Sequence, residues 1–323
     1  MMGRIMSKQA YLFPGQGSQS VGMAADLYAS VTAARRVLDQ ANEVLGFSIT
    51  DIMFGSGSPE TAAEDLALLT QTQNTQPALF VHSMAVFEAM RGLGVAPDMV
   101  AGHSLGEYSA LCAAGAISFE DALRTVRLRG ELMASAGEIR PGSMAAILNM
   151  EDDAVEGLCS DASGMGLGIV QPANYNSPGQ IVISGDVDAV AKAVELAPER
   201  GARRALLLPV SGAFHSPLMD FATEGLGKAL ATLHLVKPTC PVYLNVTAAA
   251  SSDPEEIRGR LVEQLTAPVR WAQTLVAMQS AGATRFIEVG SGKVLSGLVK
   301  RTLERDTETA NFGTAADLAA VTG

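Results

Sequence analysis

Apolar residues in the first part of the chain alternate between short continuous runs and runs with helical spacing. Residues 9–13 predict a strand that ends at Pro14-Gly15, and residues 33–45 have the periodicity of an amphipathic helix. Apolar side chains cover much of segment 77–93, which predicts a buried helix with Pro77 in its first turn. Repeated alternation of strand and helix predicts a mostly parallel sheet with helices on both faces.

The pattern changes in the middle of the chain. The predicted order there is strand 143–149, helix 152–159, strands 168–174 and 180–184, helix 186–199 and strand 202–208. This βαββαβ order predicts a ferredoxin-like subdomain at 139–210, inserted into a large α/β domain made of 1–138 and 211–323. The last third returns to α/β, with strands at 242–246 and 285–289 and helices at 254–265, from Trp271 and after Gly292. The polar, alanine-rich tail beyond Asp306 is expected to be less ordered.

A G-x-S-x-G pattern follows the short apolar segment 99–101. It reads Gly102-His103-Ser104-Leu105-Gly106 and leads into a stripe of helical spacing, as in a nucleophile elbow. Such a turn exposes the Ser104 hydroxyl beside the free N–H groups of a helix N-terminus. The alternative is a serine that only caps the helix, but a cap would not need glycine on both sides. We therefore predict an α/β-hydrolase-like fold for the large domain and acyl transfer through a covalent Ser104 ester.

A serine nucleophile needs a base, and the chain has four histidines. His82 lies on the predicted buried helix and is interpreted as a core residue, and His234 as structural. His103 adjoins the nucleophile, but neighbours on a strand point to opposite faces. His215 remains, in a loop at the predicted domain junction, where a base can reach into a cleft. The alternative is an ordinary surface-loop histidine.

The glycine-rich turn 12–19 follows the first predicted strand and lacks the P-loop pattern. Such a turn can direct backbone N–H groups towards an oxyanion at the carboxyl edge of the sheet. A turn with no role is the alternative, but it would not explain Gln16 and Gln19 beside the glycines.

The composition of the chain limits the classes of protein, the partners and the cellular compartments to be considered. Hydrophobic residues make up 48% of the 323 residues, which is enough for a sizeable core, yet no run of about 18 apolar residues predicts a membrane span. The N-terminus does not resemble a signal peptide. The three cysteines are widely spaced, which indicates reduced thiols, and the few histidines argue against a metal site. A net charge of −11 without a basic run argues against a nucleic-acid partner. We expect a soluble, cytoplasmic enzyme.

Eight stretches of the chain form a recognisable set: FPGQGSQ (13–19), NTQPALF (74–80), AGHSLGEYSAL (101–111), VRLRG (126–130), NSPGQIVISG (176–185), GAFHSPLM (212–219), APVRW (267–271) and EVGSGKVLSGL (288–298). With these stretches the chain resembles the malonyl-CoA:acyl carrier protein transacylase family. They span nearly the whole chain in the order found in the family. One departure is Ser291, which stands in a turn where the family commonly has proline.

The resemblance implies a role for individual residues. It implies Ser104 as nucleophile, His215 as general base, the backbone carbonyl of Gln264 as the group that orients the base, and the N–H groups of Gln16 and Leu105 as oxyanion donors. Arg129 would bind the malonyl carboxylate with its planar fork, although sequence alone does not separate it from Arg124 and Arg127. His103, Asn176 and Phe214 would line the site, with Phe214 disfavouring a methylmalonyl group.

The resemblance also implies the reaction and its partners. The expected reaction moves a malonyl group from malonyl-CoA to the phosphopantetheine thiol of acyl carrier protein, by ping-pong transfer and without a cofactor, for fatty acid synthesis. Because such carriers are acidic, docking would need a local basic patch, for which Arg203, Arg204, Lys300 and Arg301 are candidates. We expect a monomer.

Three alternatives remain at this point: a polyketide acyltransferase, a serine hydrolase or thioesterase, and a non-catalytic docking subunit. A hydrolase of this fold would have its histidine near the C-terminus, and no histidine follows His234.

Overall fold

The computed structural model describes residues 8–210, 212–303 and 307–322. Three predicted features therefore lie outside these ranges. They are the N-terminal residues 1–7, residue 211, at which the second part of the large domain is predicted to begin, and Asp306, after which the tail begins.

Strands and helices alternate along most of the described chain. The strands are β1 (Lys8–Phe13), β2 (Met99–Gly102), β3 (Gly142–Leu148), β4 (Val170–Ser177), β5 (Gln180–Asp186), β6 (Arg204–Leu207), β7 (Val242–Tyr243), β8 (Ala250–Ser251), β9 (Ala283–Val289) and β10 (Glu308–Phe312). The helices are α1 (Ala25–Ser30), α2 (Thr32–Leu45), α3 (Ile49–Phe54), α4 (Ala62–Thr70), α5 (Thr72–Gly92), α6 (Gly106–Ala113), α7 (Phe119–Ile139), α8 (Asp152–Gly164), α9 (Val187–Leu196), α10 (Asp220–Thr232), α11 (Pro254–Glu263), α12 (Trp271–Ser280), α13 (Val294–Thr302) and α14 (Ala315–Thr322).

The larger sheet has the strand order β10-β9-β1-β2-β7-β8. All neighbours in it pair in parallel except β7 and β8, which are antiparallel. Parallel strands need covering on both faces, and the side chains of β1 alternate accordingly. Tyr11 and Phe13 belong to a large core on one face, whereas Ala10 and Leu12 pack with α12 and α13 on the other.

The second sheet is antiparallel and has the order β4-β5-β3-β6. With α8 and α9 it forms the βαββαβ arrangement of a ferredoxin-like unit and has a core of its own, which contains Ile147, Leu158 and Val190. The antiparallel sheet is joined to the segment that precedes α12, where Tyr175 N donates to Val269 O and Val269 N donates to Ala173 O. The predicted fold class is therefore confirmed: a largely parallel sheet accompanied by a separate antiparallel one. The proposed boundaries, 139 and 210, stay a prediction.

Two predictions from the sequence pattern were wrong. The buried helix begins at Thr72 rather than near Pro77, so the proline lies inside α5. Four polar residues with 0–6% exposure lie in its first turns, namely Thr72, Asn74, Thr75 and Gln76. A pattern built on apolar spacing could not detect them. The tail is not irregular either. β10 extends the sheet alongside β9, and the buried Phe312 and Leu318 attach β10 and α14 to the core.

Candidate active site

Ser104 lies on the turn that joins β2 to α6, with a left-handed backbone φ of 53°. Glycine is required on both sides because α6 lies very close to β2 at Gly102 and to β1 at Gly106. A Cβ atom at Gly102 would lie 1.8 Å from the carbonyl oxygen of Gly106, and one at Gly106 would lie 2.2 Å from that of Phe13. Helix α6 begins at Gly106 and receives no side-chain cap. The interpretation of Ser104 as a simple cap is therefore wrong.

The Ser104 hydroxyl contacts the imidazole of His215. Ser104 Oγ lies 2.8 Å from His215 Nε2, and His215 Nδ1 lies 2.8 Å from the backbone oxygen of Gln264. Because a carbonyl only accepts, it fixes the proton on Nδ1 and leaves Nε2 free to take the serine proton. The three groups are thus a nucleophile, its base and the acceptor that orients the base.

His215 is 3% exposed and is held in place by its surroundings. Its φ is 57°, and Gln171 of the antiparallel sheet donates from Nε2 to both His215 O (3.0 Å) and Thr266 O (3.3 Å). Burial, reinforced by the nearby Arg129 cation, lowers the pKa of His215 to about 3, although the Gln264 carbonyl acts in the opposite direction. The imidazole is therefore neutral, as a general base must be.

Arg129 is the buried arginine of helix α7. It shares one face with the buried residues Ala122, Val126 and Met133, whereas Arg124 on the same helix is exposed. Arg127 bonds instead to Glu131 and to the start of α5. The fold thus distinguishes three arginines that the sequence pattern left equivalent.

The Arg129 guanidinium points at the nucleophile and has only neutral hydrogen-bond partners. It donates to Gln76 Oε1 (2.7 Å), Gln264 Oε1 (3.0 Å) and Ser104 Oγ (3.1 Å). Among the ion pairs of the described residues none involves Arg129, although the side chain is 1% exposed. Its burial lowers the pKa of Arg129. A dehydrated cation beside the reactive serine is therefore prepared for an anionic substrate group.

Gln16 and Leu105, the two predicted oxyanion donors, both line the same pocket. Gln16 lies in the turn after β1, and Leu105 follows the nucleophile at the start of α6. Neither N–H donates to another group among the described residues. Both donors are thus available to a negative charge that develops beside Ser104.

The pocket lies between the two sheets and has a volume of about 230 Å³. His103 Nε2 bonds to Asn176 Oδ1 at 2.9 Å, and its ring lies 5.3 Å from that of Trp271. Burial lowers the pKa of His103. Asn176 and Phe214 also line the wall, as do Met133, Val182 and Leu298. The structure therefore brings together the nine residues that the sequence and the resemblance assigned to catalysis and substrate binding. Their roles stay predictions.

Sequence reasoning missed four polar residues that organise this site. Gln76 contacts Arg129, Gln171 holds the His215 loop, and Asn245 Oδ1 accepts from the Ser104 N–H at 2.7 Å. Glu107 is buried one turn after the nucleophile. Gln76 lies in the NTQPALF stretch, so the resemblance to the family could have identified it as a site residue. Asn245 and Gln171 have no local pattern that marks them.

The four proposed docking residues are exposed, and two of them, Arg204 and Arg301, are connected with the pocket wall. Arg204 pairs across the antiparallel sheet with Leu148, which in turn pairs with the pocket-lining Gln180. Arg301 donates to Gln180 Oε1 at 2.5 Å. Paired residues share a face of a sheet, so Arg204 and Gln180 lie on the same face, and Arg301 of α13 contacts that face through Gln180.

The remaining features predicted from the sequence lie away from the pocket. His82 is buried with Nε2 2.8 Å from Gly313 O, as expected of a core residue, and His234 is exposed. Ser291, the departure from the family pattern, donates from Oγ to Ser18 O at 2.6 Å. Within the described ranges no helix is long and apolar enough to cross a membrane, and no group of His, Cys, Asp or Glu is arranged to hold a metal ion.

Comparison with known proteins connects this geometry with a family. The family model described as "Acyl transferase domain" matches residues 10–318. The malonyl CoA-acyl carrier protein transacylase of Bacillus subtilis (strain 168) is 48% identical over 300 residues, which cover 93% of this chain and 92% of that protein. The chain belongs to the malonyl-CoA:acyl carrier protein transacylase family.

Solved structures of acyltransferases agree in fold. The acyl-carrier-protein-S-malonyltransferase of Bartonella henselae superposes with a TM-score of 0.90 at 42% identity, covering 97% of this chain and 98% of that one. A malonyl-transacylase solved in complex with its type II polyketide synthase acyl-carrier protein gives 0.89 at 38% identity, with the same coverage of both chains. Both similarities extend over nearly the whole of this chain.

Proposed function

We propose that this protein transfers the malonyl group of malonyl-CoA to the phosphopantetheine thiol of acyl carrier protein through a malonyl-Ser104 ester. The observation that carries the proposal is the buried Arg129, which contacts Ser104 Oγ and has no acidic partner within hydrogen-bonding distance among the described residues. A diacid thioester supplies that partner with its free carboxylate, while its other end meets the serine. The names of the relatives support the same substrate and acceptor.

In the first half-reaction, malonyl-CoA enters with its carboxylate on the Arg129 fork. His215 Nε2 takes the Ser104 proton as Oγ bonds to the thioester carbon. The negative charge that forms on the carbonyl oxygen is stabilised by the N–H groups of Gln16 and Leu105. The carbon–sulfur bond then breaks, the coenzyme A sulfur receives the proton from His215, and the malonyl ester remains on Ser104.

The second half-reaction runs the same steps in the opposite direction. The carrier's thiol gives its proton to His215 and attacks the ester carbonyl, and Ser104 leaves and regains the proton. Atoms and charges balance with the CoA thioester as substrate, so we propose that the reaction needs no cofactor or metal. The carbonyl of Gln264, rather than a carboxylate, bonds to the imidazole, which distinguishes this site from the hydrolase alternative.

The specificity of the acyl group provides the test of this function. We expect the wild-type protein to use malonyl-CoA far better than acetyl-CoA, because acetyl leaves the buried Arg129 without a counter-charge. Arg129→Ala should lower kcat/KM for malonyl-CoA by on the order of 10²–10³-fold and raise the relative use of acetyl-CoA. The measurement is the ratio of the two kcat/KM values in both proteins.

Arg124→Ala is the matched control, because it removes an exposed arginine from the same helix. It should leave the ratio unchanged. If Arg129→Ala also left the ratio unchanged, another cation would have to bind the carboxylate, and the proposed assignment would be wrong.

We also propose that the carrier docks on a basic surface made of Arg204 and Arg301, which are connected with the pocket-lining Gln180, together with Arg203 and Lys300. Leu206 supports this surface, because it lies on the same strand face as Arg204 and is 50% exposed, so an acidic partner would find an apolar contact there as well. Reversing the charge with Arg204→Glu should raise KM for acyl carrier protein several-fold at low salt, while Ser104 malonylation proceeds at the wild-type rate. Equal KM values in both proteins would remove Arg204 from the docking surface.

The proposal also includes the biosynthetic pathway that the protein serves. We propose fatty acid synthesis, with a polyketide carrier as the second candidate because one structural relative was solved with such a protein. The ratio of kcat/KM for the two kinds of carrier separates these possibilities.

We further propose a cytoplasmic monomer, consistent with three free cysteines. A dimeric mass in solution would contradict the monomer.

A further inference from the structure

Glu107 is a buried carboxylic acid that the reaction described above does not use. It lies in the first turn of α6, is 1% exposed and is three residues beyond the nucleophile. Its Oε2 accepts hydrogen bonds from the backbone N–H of Asn245 (2.9 Å) and from Gln264 Nε2 (3.0 Å). A carboxyl group so far from solvent requires specific compensation, and both bonds connect it to active-site neighbours.

The Gln264 side chain links Glu107 to Arg129. Gln264 Nε2 contacts only acceptors, namely Glu107 Oε2, Ser104 O (3.1 Å) and Asn245 Oδ1 (3.3 Å). Its Oε1 accepts from Arg129. A rotated amide would turn its oxygen towards these acceptors and its NH₂ towards the guanidinium, so every contact would become unfavourable. The acceptors thus determine which end of Gln264 meets Arg129.

Above its pKa, which burial raises to about 7, Glu107 is the charged member of this set of acceptors. Burial lowers the pKa of Arg129, and the negative charges of Tyr108, when ionised, and of Glu107 oppose this shift. Ser104 O and Asn245 Oδ1 are neutral and already accept other backbone N–H groups. Since hydrogen bonds to charged acceptors are stronger than those between neutral groups, Glu107 has the largest share in orienting the Gln264 amide.

We propose that Glu107 is a positioning residue for substrate selection, which acts through the Gln264 amide to hold the Arg129 guanidinium where the malonyl carboxylate binds. This inference rests on the proposed function of Arg129. The backbone carbonyl of Gln264 orients His215 independently of the amide, so the loss of Glu107 should affect binding of the carboxylate more than proton transfer. Glu107 itself touches no reacting atom.

The test is Glu107→Gln, which keeps the shape and an acceptor oxygen but removes the charge. The assay is acyl transfer from malonyl-CoA or acetyl-CoA to pantetheine at about pH 8, because burial raises the pKa of Glu107 to about 7 and the group is ionised above it. We expect KM for malonyl-CoA to rise about tenfold with kcat within about threefold, since the contact with Arg129 exists before the transition state. For acetyl-CoA, kcat/KM should stay within about twofold.

Glu120→Gln is the matched control, because Glu120 is a partly buried carboxylate that also bonds to a glutamine, Gln40, at 2.5 Å on the far end of α7. It should change neither substrate's parameters. Equal losses for both substrates in Glu107→Gln, or a variant that fails to fold, would assign Glu107 a structural role and overturn the proposal, as would an unchanged KM. If wild type itself did not prefer malonyl-CoA, the proposed function would fail first, and this outcome is visible before any variant is compared.

Discussion

Ser104→Ala should abolish the malonyl-enzyme and lower the transfer rate by on the order of 10⁶-fold, the size of loss seen when a catalytic serine is removed from a hydrolase. We expect this loss because of the position of the Ser104 hydroxyl. Ser104 Oγ is the hydroxyl that contacts both His215 Nε2 and the Arg129 guanidinium. The measurement is the malonyl mass increment on the peptide that contains residue 104 after incubation with malonyl-CoA.

Ser18→Ala is the control for this prediction, because Ser18 lines the same pocket. It should retain the full mass increment on Ser104. A malonylated peptide from another part of the chain in Ser104→Ala would show that the nucleophile is elsewhere. The fold of the variant should be intact, since only one hydroxyl is removed from a partly exposed turn.

His215→Ala should slow acylation of Ser104 by about 10²–10⁴-fold, the usual contribution of a general base. The neutral imidazole takes the serine proton in the first half-reaction and the thiol proton in the second. Single-turnover release of coenzyme A from malonyl-CoA measures the first step alone. His234→Ala, on an exposed residue, is the control and should have no effect.

The pH dependence gives His215 a signature that a structural role would not produce. Because its pKa is lowered to about 3, wild-type acylation should not fall as pH decreases from about 7 to 5, where an ordinary histidine would become protonated. Removing the Arg129 cation favours the imidazolium, so Arg129→Gln should move the acidic limb of the acetyl-CoA profile to higher pH. A wild-type limb near pH 6.5, or a greater loss from His103→Ala than from His215→Ala, would contradict this assignment.

Local sequence patterns were sufficient to predict the elements whose conformation depends on residues close to one another in the chain. The G-x-S-x-G turn was predicted because glycine is the residue that permits such a close approach of strand and helix, and the distances at Gly102 and Gly106 agree. Alternating strands and helices predicted a parallel sheet, and the change of rhythm near residue 140 predicted the antiparallel sheet. The pattern failed at Thr72 and in the tail, where burial of polar residues and pairing with β9 determine the structure.

The sequence by itself thus determined the fold class, the turn that exposes Ser104 and a short set of candidate histidines. Its resemblance to a family added roles for Arg129 and Gln264. Without that resemblance, only the tertiary structure decides which arginine faces the nucleophile and which acceptor orients His215. It also joined Glu107, Gln264 and Asn245, which are 19 to 157 residues apart along the chain. Local periodicity reports how a segment buries its own face, whereas hydrogen bonds between distant segments depend on how the packed elements bring them together.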